Sequence, residues 1–448
     1  MYGTHIRQTI RLSLPIIVGQ IGQLTMSVAD NAMVGRVGPE ALAAASIGNG
    51  LFTLVMVVGI GISMAITPLT AMAMGGGRDR DCGVVLRQGL LLNMAAGILL
   101  CAACFGLAQA VRILNQPQAI VEPAILYIQV LGLSMLPLML FQSFRQFAEG
   151  ISVLKPAMLI TLAANLVNIF VNWVFIFGNL GAPALGLTGA GIATFCSRMF
   201  MAVCLVAVIM AAPSLKRFDP SLRYRKIDIP MMKRLLGIGI PGAFQYFFEV
   251  SAFAGSSIIV GWMGVRELAA HQIALNLGGI SFMGAMGISA AGTIRVSNAL
   301  GKGDSPGIRT AGFSAVFLCM VFMGLAGLVF VLFRNILPGL YVSDPQVIEI
   351  TALLLVIVAF FQLSDGTQAV GIGILRGITD MKIPTLITLA AYWLIGLPSG
   401  YALAFWAGLG IYGVWYGLLI SLTASALLMM LRFHIQTKHN DAKEAAGH

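Results

Sequence analysis

The sequence predicts an all-α polytopic membrane protein: twelve transmembrane helices in two parallel-repeat six-helix bundles with a central cleft. Three observations carry that prediction. The 448 residues are 58% hydrophobic and only 10% charged, whereas a soluble domain carries about 25% charged residues. No soluble fold of this length hides so much apolar surface. The charges punctuate the chain and leave about twelve long apolar runs between them. Finally, the chain repeats itself at a fixed offset.

A membrane-spanning helix needs roughly 20 mostly apolar residues. Runs of that kind lie near 8–34, 46–72, 85–112, 119–145, 155–178, 187–211, 233–260, 268–296, 309–333, 345–373, 384–406 and 411–432. A β-barrel would instead alternate over segments of about 10 residues, and no such alternation occurs. Arg7 and Arg11 precede the first run as they would in a signal peptide. The run continues through Pro15 to about Val34, too long for a leader's apolar core and without a small-residue cleavage pattern. It reads as the first span.

The repeat is direct. "GRVGPEALAAASI" at Gly35 matches "GWMGVRELAAHQI" at Gly261. The same offset carries Pro15 onto Pro241, and "AMGGG" at Ala73 onto "ALGKG" at Ala299. "LITLAA" occurs at Leu159 and again at Leu386, one position beyond that offset, and "GLTGAG" at Gly186 is echoed by "GLGIYG" at Gly408. Six spans per half is an even number, so both halves enter from one face and form parallel repeats. The expected organisation is a six-helix lobe over 1–211, a basic linker over 212–232, a second lobe over 233–435 and a polar tail over 436–448. Such an architecture suits alternating access about a midplane site.

Lys and Arg set the expected orientation. One side collects Arg7, Arg11, Arg78, Arg80, Arg87, Lys155, Lys302, Arg309, Arg376, Lys382, Arg432 and Lys438. It also collects Lys216, Arg217, Arg223, Arg225, Lys226, Lys233 and Arg234 around the linker. The other side has Arg36, Arg112, Arg266 and Arg334. Both termini are therefore expected on the cytoplasmic side of a prokaryotic plasma (inner) membrane. The net charge of +10 is scattered over separate loops, which fits contact with anionic lipid and excludes a nucleic-acid footprint. Of six cysteines, Cys101 and Cys104 form a C-x-x-C inside a span with no partner histidine; they read as small apolar filler rather than a metal or redox site.

Polar residues inside the spans fall on stripes. Gln20, Gln23, Ser27 and Asp30 share one face of the first span, and Asn165, Asn168 and Asn172 one face of the fifth. Gln245, Glu249 and Ser256 do so in the seventh, and Gln362, Asp365 and Gln368 in the tenth. Such faces point to a bundle interior or a wet cavity, not to lipid. Only Asp30, Glu249 and Asp365 are acids well inside spans. They can serve as hydrogen-bonding glue between helices, or as a cation or proton site. The second use follows because burial disfavours the charged form of a carboxyl group and paired carboxylates suit hard cations. At the offset that carries Gly35 onto Gly261, Asp30 falls on Ser256 and Gln23 on Glu249. The scaffold is duplicated and the acids are not, which favours separate functional sites.

Other intramembrane charges have plainer readings. Arg145 and Glu149 are spaced to satisfy each other. Arg198 has no local partner, and His271 reads as a helix-end contact. Met26, Met33, Met56 and Met64 suit a surface that adapts to varied apolar ligands.

The chain resembles the multidrug and toxic compound extrusion (MATE) family, in particular its NorM-like branch. The resemblance runs over nearly the whole chain and rests on "ADNAMVGRVG" from Ala29, "NIFVNWVFIFG" from Asn168, "FFEVSAF" from Phe247, "ELAAHQIALN" from Glu267 and "FQLSDGTQAVGIGILRG" from Phe361. It implies secondary active export of cationic or amphipathic drugs against an inward flow of Na+ or H+. It implies a role for Asp30 in drug and cation binding, with Asn168 and Asn172 facing it. It implies ion coupling at Glu249 and Asp365. From the polar stripes alone, Gln23 and Gln245 are expected to join Asp30 as substrate or proton residues. Some relatives carry Tyr where this chain has Phe361, so either ion remains open. No cofactor and no enzyme activity are expected. The implied partners are small-molecule drugs and membrane lipids, not nucleic acid, and the chain is expected to work as a monomer. The alternatives are a lipid or lipid-linked oligosaccharide flippase of related architecture and a membrane-embedded enzyme. The first needs a large basic cavity, for which Arg145 and Arg198 are thin support; the second needs motifs such as H-E-x-x-H, which is absent.

Overall fold

The computed structural model describes residues 2–113, 117–220 and 227–446. The linker charges Arg223, Arg225 and Lys226 therefore lie outside the described residues, as does the end of the tail. The helices are α1 (Tyr2–Gly35), α2 (Pro39–Ser63), α3 (Ile66–Gly75), α4 (Asp79–Ala110), α5 (Gln118–Leu133), α6 (Met135–Gly150), α7 (Lys155–Phe177) and α8 (Leu187–Ala211). They are followed by α9 (Ile229–Gly261), α10 (Val265–Lys302), α11 (Ser305–Leu332), α12 (Pro345–Gly377), α13 (Lys382–Leu389), α14 (Leu397–Tyr401) and α15 (Ile411–Ala446). They supply 12 spans long and apolar enough to cross a membrane, so the chain is an all-α multi-pass membrane protein.

Some spans are less regular than the apolar runs suggest. The second is α2 and α3 with a break at Met64 and Ala65, and the fourth is α5 and α6 with a break at Ser134. The eleventh is α13 and α14 joined by a π-helical stretch, Ala390–Gly396, with a second π-helical stretch at Ala402–Trp406. Pro15 and Pro241, by contrast, lie inside continuous helices.

The sequence repeat has a backbone counterpart. Gly38 before α2 and Gly264 before α10 have φ of 151° and 152°. A side chain is strained there, which explains why glycine stands at both positions. Gly77 and Gly303, another pair related by the repeat, have φ of 69° and 70° and follow the ends of α3 and α10. Asp304 and Asp344 cap α11 and α12 by accepting from the backbone N–H of Gly307 and Gln346, each at 2.9 Å. The bond from Gln346, with Arg266 alongside, holds the Asp344 carboxyl below the usual carboxylate range.

Contacts divide the chain into two compact units. One runs from Val18 to Ala243. Its core gathers Val34, Phe52, Tyr127, Ile128, Met135 and Met139 where α2, α4, α5, α6 and α8 pack. Close backbone approach is part of this packing: a Cβ on Gly61 would lie 2.5 Å from the Ala243 Cα. The other unit takes the first turns of α1, through Ile17, together with the chain from Phe244 onward. Its core centres on Phe361, Tyr392, Trp415 and Leu418 of α12, the π-helical stretch and α15. Within this unit Arg295 of α10 holds the start of α1, donating to the His5 carbonyl at 3.0 Å and the Thr9 hydroxyl at 2.6 Å.

Candidate functional site

The acids predicted from the sequence fall into two sites, one in each unit. In the unit from Val18 to Ala243, Asp30 lies on the wall of a cavity of about 340 Å³. The wall is built from α1 (Gln23, Met26, Asp30), α2 (Asn49, Phe52, Met56), α5 (Tyr127), α6 (Gln142) and α8 (Thr194, Arg198, Met201), among others. The carboxylate is held in place. Asn172 Nδ2 donates to its Oδ1 at 2.6 Å, and Thr194 Oγ1 donates to its Oδ2 at 3.3 Å. Asn172 Nδ2 also reaches Asn168 Oδ1 at 3.1 Å. Both asparagines are fully buried and off the cavity wall, Asn172 touching the carboxyl group directly and Asn168 reached through Asn172. A carboxylate with aimed donors keeps its charge at lower cost than an unpaired one. Asn165, on the same stripe of α7, instead donates to its own helix at the Thr161 carbonyl, 3.3 Å away.

The second site lies in the other unit. Gln245 Nε2 donates to Glu249 Oε2 at 2.7 Å, one turn along α9. Glu249 and Asp365 are both buried and close enough to act on each other electrostatically. Two residues that the sequence reading did not select join them. Tyr392, in the π-helical stretch, feels both carboxylates and donates its hydroxyl to Gln368 Oε1 at 3.2 Å. Arg376 is only 8% exposed and sits beside Glu249 and Tyr246; it is an interior charge of α12 and not a loop charge as its sequence position suggested. Phe361 packs edge-on against Trp415 and Phe253, and Phe253 packs on Tyr392. A hydroxyl lacking at 361 is thus present in the same site at 392. Gln362 is fully buried, and neither of its amide atoms has a partner among the described residues.

The remaining intramembrane charges also find places. Arg145 Nε donates to Glu149 Oε1 at 2.9 Å in a buried pair, as the spacing predicted. His271 is not at a helix end: it is fully buried, with Nε2 3.2 Å from Ser257 Oγ and its ring against Trp415. Ser256, the repeat counterpart of Asp30, donates to its own helix at the Phe253 carbonyl. Among the described residues no group of three or more His, Cys, Asp or Glu gathers to hold a metal ion, and the six cysteines are free.

Tyr127, Asn49, Thr194, Tyr392 and Arg376 carried little signal in the sequence. Thr194 and Arg198 are one turn apart on α8, a polar pair in an apolar run. At the offset of the "LITLAA" block, Tyr392 is the counterpart of Asn165, so the repeat marks its position but not its partners.

The MatE family profile matches residues 15–174 and 241–402, two segments whose starts are Pro15 and its repeat counterpart Pro241, and which cover more than half of the chain. The chain belongs to the MatE family. It is 33% identical over 436 residues to the multidrug resistance protein MdtK of Yersinia pseudotuberculosis serotype O:1b (strain IP 31758), covering 96% of this chain and 95% of that protein. It is 34% identical over 440 residues to the probable multidrug resistance protein NorM of Mesorhizobium japonicum, covering 97% and 94%. Among solved structures, the eukaryotic MATE transporter AtDTX14 superposes with a TM-score of 0.88 at 20% identity over 99% of both chains. A multidrug resistance MATE transporter in an outward-facing conformation superposes at 0.89 and 20% identity, over 97% of this chain and 96% of its own. These structures share the fold of this MATE chain. Its relatives are transporters, so it is a transporter and not an enzyme. Nothing in these similarities supports the flippase alternative.

Proposed function

We propose that this MATE chain is a secondary active multidrug exporter, moving cationic or amphipathic drugs outward against an inward flow of Na+ or H+. The observation that carries this reading is the Asp30 carboxylate. It is held by Asn172 and Thr194 on the wall of a cavity of about 340 Å³ otherwise lined by aromatic, methionine and uncharged polar groups, with Arg198 as the one cation among the described lining residues. Such a cavity suits an apolar body with a cationic group. Glu249 and Asp365, with Gln245 and Tyr392 around them, are the ion-coupling site on this reading, the ion being carried substrate rather than resident cofactor.

The lobes over 1–211 and 233–435 alternate access, and ion binding drives the exchange only through different affinities in the two arrangements. Each charge crossing the membrane supplies about 2.3 kcal/mol per 100 mV, enough for roughly a 50-fold drug gradient. Both termini are cytoplasmic in a bacterial inner membrane, by the Lys and Arg bias, and the unit of transport is the monomer.

The test is dye efflux from vesicles holding the purified chain, with Na+ and H+ gradients imposed separately. Efflux driven by one gradient alone names the ion. Efflux driven by neither rejects the exporter reading.

A further inference from the structure

The Asp30 cavity contains a second charge for which the exporter reading has no use. Arg198 lies on the same wall, one turn beyond Thr194 on α8. Residues so spaced are about 6 Å apart along the helix, and no ion pair joins the guanidinium to the Asp30 carboxyl that Thr194 touches. They influence each other electrostatically, yet no carboxylate stands within ion-pairing distance of Arg198 among the described residues. Its guanidinium lies 4.9 Å from the Phe52 ring centroid. Nη1 donates to Ser134 Oγ at 2.5 Å, at the break between α5 and α6, and Nη2 meets the Met56 sulfur at 3.8 Å. An arginine has five N–H donors in a planar fork suited to a carboxylate. One strong bond and one weak sulfur contact leave most of that fork uncommitted.

Asp30 and Arg198 are the only acidic and basic side chains among the described residues of this wall. A ligand with a single positive charge gains from Asp30 and is repelled by Arg198. A ligand that also carries a negative group set apart from its cation meets a partner at both ends, with Phe52, Tyr127, Met26 and Met201 lining the space for its apolar body. We propose that Asp30 and Arg198 form one two-pronged subsite, and that Arg198 is the specificity-determining residue that selects zwitterionic amphipaths over simple cations. The proposal rests on the reading of this cavity as the drug site. Its bland competitor is that Arg198 only offsets the charge of Asp30.

A matched pair of probes separates them: a rhodamine dye with a free benzoate, which is a zwitterion, and its methyl ester, which is a monocation with the same ring. Binding of each is measured by fluorescence polarisation to the purified full chain and to R198Q, R198K, S134A and D30N. The wild type should bind the acid more tightly than the ester. R198Q should weaken the acid by roughly tenfold to a hundredfold, the scale of a charged hydrogen bond, while the ester is unchanged or tighter. R198K should keep part of the preference. S134A, which removes the anchor and leaves the charge, should reduce it by a smaller factor, and these two carry the test if R198Q does not fold. Equal weakening of both dyes in R198Q overturns the proposal in favour of charge compensation. A wild-type preference for the ester that R198Q leaves intact overturns it outright. If D30N does not weaken the ester, the drug-site reading itself fails, and that result is distinguishable because it needs no change at Arg198.

Discussion

The two units share a scaffold and differ in how their acids are housed. Asp30 borders a cavity of about 340 Å³ and takes its donors from α7 and α8. Glu249 and Asp365 are buried together in the other unit among Gln245, Tyr392 and Arg376. The repeat makes the contrast sharper, because Asp30 and Glu249 each have a neutral counterpart. Where one half has Asp30 the other has Ser256, and where one has Glu249 the other has Gln23. Duplication keeps what the backbone needs, such as Gly38 and Gly264, and releases interior polar positions for different chemistry. A single carboxylate on an open wall suits a large ligand. A buried acid pair suits a small ion, since two like charges close together are stable only when a proton or cation neutralises one of them.

The strongest way to break this contrast is to neutralise the two sites separately. Asp30→Asn is expected to lower binding of a cationic dye by roughly a hundredfold or more, and Glu249→Gln to abolish gradient-driven transport while dye binding stays near wild type. Equilibrium dye binding and vesicle transport, run on both variants, check this; equal loss of dye binding in both would erase the distinction between the sites. Removing a holder of Asp30 is the next step down. Asn172→Ala takes away the 2.6 Å bond and should weaken cation binding roughly tenfold, read by the same titration. If affinity is unchanged, Asn172 does not orient the carboxylate.

The shared scaffold gives a symmetric prediction. Gly38→Ala and Gly264→Ala each force a side chain into backbone near φ 151° and 152°, at a cost of about 1–3 kcal/mol. Thermal unfolding should show losses of similar size in both halves, and a large difference would mean that the two turns bear different loads. The smallest expected effect is at Tyr392→Phe. Losing the hydroxyl that reaches Gln368 is worth about 0.5–1.5 kcal/mol, so a few-fold change in the ion concentration for half-maximal transport is expected, with dye binding untouched.

Much of the architecture is legible in the sequence. Twelve spans, the duplication and the Arg145–Glu149 pair all follow from patterns local in the chain. Apolar length sets a span, a repeated glycine sets a backbone conformation, and a spacing of four sets a pair on one helix face. The stripe on α7 marks Asn168 and Asn172, which meet Asp30 and each other, because a polar face in an apolar helix has to meet something polar. It also marks Asn165, which turns back on its own helix, and nothing in the spacing separates the three. Arg376 is misplaced by a sequence reading because the charge of a residue near a helix end does not reveal whether the end is buried.

The sequence by itself determined the class of protein, the number of spans, the two-fold repeat and the three interior acids, since each rests on composition or on periodicity along one helix. Only the tertiary structure decided that Thr194 touches Asp30, that Arg198 lines its cavity without a carboxylate partner among the described residues, and that Tyr392 and Arg376 join Glu249 and Asp365. Those are contacts between helices far apart in the chain. Their geometry is set by how whole helices pack, and helix packing depends on all the facing side chains together rather than on any local pattern.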